Sequence, residues 1–291
     1  MTARGAELEQ TKTVGPFLRD KLLKLDQKVL SAAHKLVSDS SDDEAVHDLR
    51  VALRRLRTVL EVGRTVFGRY FVDEVRRSYR DVHRATGALR DEEVVLKLAN
   101  SIEATHPDSE RWLEARRRRE QRLRRGLVRR IASGDIESGH RLLAALLEFR
   151  IKPSRDAPLA KFARRAVETT LRGVKRRRNA QPDDVDALHQ LRISYKRLRY
   201  TVETFGDTLS PELTVLAQPA ASFQSRLGDI HDVDMVTLCV RRSRILSLPA
   251  RHEMLEALAN SRHHLMRSYA EELALTALAP TIPPTPGPRG I

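Results

Sequence analysis

Two clusters of cationic side chains have the residue types and spacing to hold a phosphate-like anion. The first is His47, Arg50, Arg54 and Arg57, inside Val46-His47-Asp48-Leu49-Arg50-Val51-Ala52-Leu53-Arg54-Arg55-Leu56-Arg57. The second is His189, Arg192, Lys196 and Arg199, inside Leu188-His189-Gln190-Leu191-Arg192-Ile193-Ser194-Tyr195-Lys196-Arg197-Leu198-Arg199. Spacings of three and four residues put such side chains on one side of a helix, and charge-assisted hydrogen bonds to phosphoryl oxygens are roughly twice as strong as neutral ones. The histidines extend each row and add charge below about pH 6.5.

On a helix at about 100° per residue, with His47 at 0°, Arg50, Arg54 and Arg57 fall at roughly 300°, 340° and 280°. Val46, Leu49, Leu53, Leu56 and Leu60 fall between about 180° and 260° on the same count. The cationic stripe therefore runs beside the apolar stripe instead of opposite it, where purely solubilising charge belongs. The second cluster repeats this relation with Leu188, Leu191, Tyr195, Leu198 and Val202. Two readings are open: the arginines pair with carboxylates on neighbouring helices, or two stripes roughly 15 Å long line a groove for a polyanion. Like charges converging without a counterion repel, so matched stripes favour the groove.

Catalysis is not expected. The dipeptides His47-Asp48 and His231-Asp232 are adjacent helix residues that point about 100° apart and do not easily ligate one ion together. Asp229, Asp232 and Asp234 are compatible with Mg²⁺, but a capping cluster accounts for them more simply. No phosphate-cradling glycine loop with its lysine is present, nor the E-x-E-x-K pattern of triphosphate-tunnel enzymes. No metal or cofactor is implied.

The chain has 291 residues, with 53 Lys+Arg against 39 Asp+Glu, a formal net charge of +14. That excess implies attraction to polyanions: nucleic acid, anionic lipid or phosphate polymers. The single Cys239 excludes a disulfide framework and a multi-cysteine metal site. The longest wholly apolar run, Leu142 to Leu147, is six residues, against the roughly 20 that span a bilayer. The first ten residues lack the apolar stretch of a secretory signal. A soluble, cytoplasmic protein is expected.

Helical periodicity runs almost from end to end and no alternating strand pattern is convincing, which predicts an all-α fold. Helices are expected at about 16–38, from a Ser41/Glu44 capping box to near Gly68, at 69–89, from Asp91 with its first turn of acids, and from Pro107 to about Ile131. After an apolar piece at 140–149 they resume at about 157–178, 183–205, 211–227, 232–246 and 249–275. The two cationic motifs lie at an offset of 142 residues, and Gly87-Ala88-Leu89-Arg90-Asp91 matches Gly228-Asp229-Ile230-His231-Asp232 at an offset of 141. Two landmarks at nearly one offset argue for duplication. The expected organisation is a flexible N-terminus, 1–15, and one helical domain, 16–278. The domain divides into repeat 1 (about 16–133), a connector (about 134–157) and repeat 2 (about 158–278). A Pro-rich disordered tail, 279–291, follows. Two four-helix units would face each other about a pseudo-two-fold axis across a central basic cleft.

The HxxRVxxRRLR of His47 to Arg57, the HxxRIxxKRLRY of His189 to Tyr200 and the paired G-x-x-x-D elements resemble the CHAD family, the conserved-histidine α-helical domain. The resemblance spans about Pro16 to Leu275. It implies two four-helix repeats around a basic cavity that binds inorganic polyphosphate, often at polyphosphate granules. The implied contacts are His47, Arg50, Arg54, Arg57, His189, Arg192, Lys196 and Arg199. Lys196 departs from the arginine pair, keeping charge but losing a bidentate fork.

Lys21, Lys24 and Lys28, with Arg165, Arg172 and Arg176, either line the same cavity or belong to solvated faces. Arg90 and His231 occupy equivalent positions before Asp91 and Asp232, which suit arginine partners or caps better than catalysts. The dense run from Arg116 to Arg130 wraps around its helix, so no single groove sees all of it, and most of it is expected on the surface. Nucleic acid is the rival ligand. Sequence-tolerant binding to single strands adds aromatic stacking platforms, and aromatics are only 4% of residues, which favours a polymer of phosphate alone. A third class is a scaffold docking on granules through generic surface charge.

Overall fold

The apolar periodicity becomes helix throughout the computed structural model, which describes residues 12–40, 42–102 and 106–275. Among these residues the sole β-type pairing is an isolated bridge between Thr13 and Pro158. Ser41, residues 1–11 of the N-terminal segment and the Pro-rich tail lie outside them.

Helix α1 (Val14–Ser38) packs along α2 (Asp43–Val62). Asp42 caps α2, its carboxylate accepting from the Ala45 amide at 2.9 Å, which satisfies one of the free donors of the first turn. One turn, α3 (Arg64–Phe67), and Gly68 at φ 96° redirect the chain into α4 (Arg69–Ser78). The positive φ is a conformation that glycine adopts without steric cost.

Helix α5 (Arg80–Asn100) runs unbroken through Asp91, so the expected boundary there is corrected. The break falls instead at Tyr79, which is wholly buried, with its hydroxyl donating to Asp26 at 2.8 Å and its ring against Gly139. Glu92 and Glu93 are held from the side by arginines of the next helix, α6 (Pro107–Ala132), not by a helix terminus. His106 caps α6, its Nδ1 accepting from the Asp108 amide. Helix α7 (Asp135–Glu148) occupies much of 134–157 and packs on α4 and α1.

The second half contains α8 (Leu159–Arg177), α9 (Val185–Phe205), one-turn α10 (Pro211–Thr214), α11 (Ala217–Arg241) and α12 (Leu248–Leu275). Helix α11 also passes unbroken through its G-x-x-x-D element, where a boundary at 227–232 was expected. The fold is all-α.

Buried apolar residues form three groups. One lies among α1 to α7, including Leu18, Leu49, Leu53, Leu56 and Leu60. A second lies among α8, α9, α11 and α12. The third, with Val95, Trp112, Val236 and Met254, joins α5 and α6 to α11 and α12. Each fully buried Leu or Val contributes roughly 1.5–3 kcal/mol. The helices that carry the matching motifs meet: α2 packs on α9 and α5 on α11.

Candidate functional site

The α2–α9 contact brings the two cationic stripes together. Arg54 on α2 donates from Nη1 to the Tyr200 hydroxyl on α9 at 2.8 Å, and its guanidinium lies over the Tyr200 ring at 6.0 Å. Around this contact is a cavity of about 320 Å³, whose walls include Arg54, Arg57, Arg76, His83, Lys196, Tyr200 and Thr170, and one carboxylate, Glu61, which is paired with Arg64 and Arg76.

Helices α5 and α11 form the back of the site, with their G-x-x-x-D elements against the two stripes. A Cβ placed on Gly87 would sit 3.6 Å from Arg50 Nη1, and one on Gly228 would sit 3.4 Å from Arg192 Nε. Each glycine lies against the equivalent arginine of the facing stripe, at distances that are ordinary contact for a Cβ. Arg50 Nη1 also donates to the Thr86 carbonyl at 3.2 Å. Asp91 and Asp232, one turn beyond the glycines, favour the charged forms of Arg50 and Arg192 respectively, as electrostatic partners and not helix caps.

Concentrated cation is the site's dominant property. Burial, then Arg54, depresses the Arg50 guanidinium below its ordinary range; burial, then Arg76, Arg84 and Arg80, does the same for Arg57. Arg192 is lowered by burial, with Asp232 opposing. Guanidinium stays charged under such shifts. Lysine does not: burial, then Arg54, Arg192, Arg50 and Arg57, pulls the Lys196 ammonium down to about 7. Burial and the nearby Arg57, Arg50, Lys196 and Arg54 push His83 down to about 4. Among the described residues, Arg50, Arg54, Arg57, Arg192 and Lys196 have no carboxylate ion pair, and Arg192 Nε is buried without a hydrogen-bond partner.

At one edge the His189 and His231 rings face each other at 4.5 Å between centroids. Burial lowers both, His189 further through His231 and His231 further through Arg192. Burial raises Asp229 and Asp232.

The remaining residues singled out in the sequence lie around this centre. His47 is exposed near the start of α2. Arg199 is engaged with Glu203 at 2.6 Å and lies over Tyr200. Lys21, Lys24 and Lys28 line a neighbouring groove of about 400 Å³, with Arg55, Glu203 and Tyr200, the last of which it shares with the cavity. Arg165, Arg172 and Arg176 are exposed and do not line the cavity; Thr170 is the α8 residue at its wall. Arg90 is exposed and bonded to Glu93 at 3.3 Å. Tyr195 and Phe205 are core rings, stacked on Phe223 and Phe17.

Sequence reasoning missed His83, Arg76, Arg80 and Arg84. His83 had one usable signal: it stands one helical turn before Gly87, on the side of α5 that faces α2. Among the described residues no group of three or more His, Cys, Asp or Glu is placed to hold a metal ion, and no helix is long and apolar enough to cross a membrane.

The family model of the CHAD domain matches residues 21–241. The fold is similar to the crystal structure of the CHAD domain from the plant Ricinus communis, at 19% identity and a TM-score of 0.64, covering 90% of this chain and 88% of that one. It is also similar to PptA from Streptomyces chartreusis, at 14% identity and a TM-score of 0.67, covering 90% of this chain and 100% of that one. No curated protein sequence matches the chain.

Proposed function

The chain belongs to the CHAD domain family, and from that premise we propose that it binds inorganic polyphosphate in the cleft between α2 and α9, without catalysis of its own. One observation carries the proposal: Arg50, Arg54, Arg57, Arg192 and Lys196 converge with no carboxylate ion pair among the described residues. Asp91 and Asp232 offset part of the repulsion among these five cations when the site is empty, and a multivalent anion relieves the rest. Arginine forks supply charge-assisted hydrogen bonds to phosphoryl oxygens, in a half-buried setting where salt screens them less than on an open surface. His189 and His231 add charge at the edge as pH falls. The ring at the cavity, Tyr200, is buried and offers its hydroxyl, so the site suits phosphate better than bases that need stacking surfaces. The protein would sit in the cytoplasm where polyphosphate accumulates, at granules.

The test is competition between long-chain polyphosphate and labelled single-stranded DNA at about 0.15 M salt, with the two matched in phosphate. Polyphosphate should displace the DNA while the DNA fails to displace polyphosphate, and the double variant Arg50→Glu, Arg54→Glu should bind polyphosphate far more weakly. Equal competition, with binding unaffected by the double variant, points to generic surface charge, hence to nucleic acid or a docking scaffold.

A further inference from the structure

The arginine-rich stretch of α6 separates into two populations. Arg116 and Arg119 close on Glu92, whose side chain is 5% exposed, at 3.2 and 2.9 Å. Arg118 pairs with Glu114, Arg124 with Glu120 and Glu93, and Arg130 with Asp135 and Asp81. These arginines hold α6 against its neighbours or along its own turns.

Arg122, Arg125 and Arg129 differ. They are exposed and have no ion pair among the described residues. At 100° per residue the three fall within about 60° of one another on the helix. With Gln121, Val128 and Ser40 of the α1–α2 turn, they line an open recess of about 660 Å³ whose described walls carry no carboxylate and no aromatic ring. The fourth arginine of the wall, Arg124, is already turned toward Glu120 and the Ser40 carbonyl. The recess shares no lining residue with the α2–α9 cavity.

We propose that this recess is a second phosphate-polymer site, independent of the central cleft. Three guanidinium forks on one face match the oxygens of successive phosphoryl groups and cannot lose their charge. Without aromatic walls, nothing in the recess reads a base. Given polyphosphate as the cleft's ligand, two separate sites let each protein hold two polymer chains at once. The protein is then a cross-linker of phosphate polymers and not a simple carrier.

The experiment uses the full chain, with tripolyphosphate to count sites by calorimetry and long-chain polyphosphate to read cross-linking by turbidity. Gln replaces the three exposed arginines in Arg122→Gln, Arg125→Gln, Arg129→Gln, a change that preserves helix propensity; Arg50→Glu, Arg54→Glu disables the cleft. The wild type is expected to show two sites and polymer cross-linking. The α6 variant should keep the cleft site, weaken the second about tenfold or more, as the loss of three phosphate contacts demands, and lose cross-linking. The cleft variant should keep the second site. A wild type with one site, abolished by the cleft variant, overturns the recess and leaves the cleft standing, as does an α6 variant with wild-type stoichiometry and turbidity. Binding that survives in the cleft variant but vanishes in the α6 variant overturns the cleft assignment and leaves the recess.

Discussion

Polyphosphate binding should draw a proton onto Lys196. The empty site holds this ammonium at about 7 because it is buried among Arg54, Arg192, Arg50 and Arg57, with His83 facing from α5. Burial is the larger cause and repulsion the second; an anion in the cavity cancels the repulsion and, as an opposite charge in contact, also offsets the burial penalty, which moves the group toward its ordinary value near 10.5. At pH 8 the empty site is then about one-tenth protonated and the filled site almost fully, so each binding event takes up about 0.9 proton; at pH 7 the figure falls to about 0.5. Affinity should fall by a similar 0.9 log unit per pH unit near pH 8. The assay is calorimetry at pH 8 in two buffers of different ionisation enthalpy. His83, held near 4, stays neutral at that pH and leaves the readout to Lys196. Lys196→Arg installs the residue that repeat 1 carries at Arg54 and keeps its proton throughout; uptake should drop close to zero, and affinity at pH 8 should rise by up to about tenfold, the cost of charging the lysine. Buffer-independent heats for the wild type, or equal uptake in Lys196→Arg, would refute the reasoning. Without ligand, the depressed value means that the unfolded chain binds the extra proton between about pH 7 and 10.5, so stability contributed at this position rises with pH through that window.

The same sign holds for His83 at lower pH: the empty protein should lose about 1–2 kcal/mol between pH 7 and 5, as the unfolded chain protonates and the folded one resists. His83→Gln should flatten that loss in thermal melts, and an unchanged pH profile would show that His83 is not buried among the arginines as described. Glu92→Gln removes the carboxylate that Arg116, 18% exposed, and Arg119 share. It should cost about 2–3 kcal/mol and lower Tm by roughly 3–6 °C, with polyphosphate binding in the cleft intact; a wild-type melting point would mean these pairs are not formed in solution. Gly139→Ala would put a methyl 2.5 Å from the buried Tyr79 ring. Overpacking of this kind costs about 1–3 kcal/mol, read as a lower denaturation midpoint, whereas unchanged stability would place the ring elsewhere.

The all-α class, the order of most helices and the twin stripes were legible in the chain because they are local properties. Residues three and four apart share a face wherever the helix goes, and Arg54 and Lys196 flank their apolar neighbours in any tertiary setting. The matching motifs at nearly one offset were legible for the same reason. Local signals misled where a distant partner outweighed them. Asp91 to Glu93 have the look of a helix start, yet Glu92 is engaged by Arg116 and Arg119 across a helix pair, while the actual break follows Tyr79 into the core beside Asp26 and Gly139. Lys21 and Lys28 illustrate the question of register: only the packing of α1 on α2 decides that they border an outer groove. His83 joins the arginines because α5 packs on α2, and the α6 arginines divide into paired and unpaired by the neighbours they meet. Side-chain type and spacing set which charges the chain carries and which face they share. Which of them stay uncompensated, and so remain available to an anion, depends on long-range packing that brings a carboxylate to some and none to others.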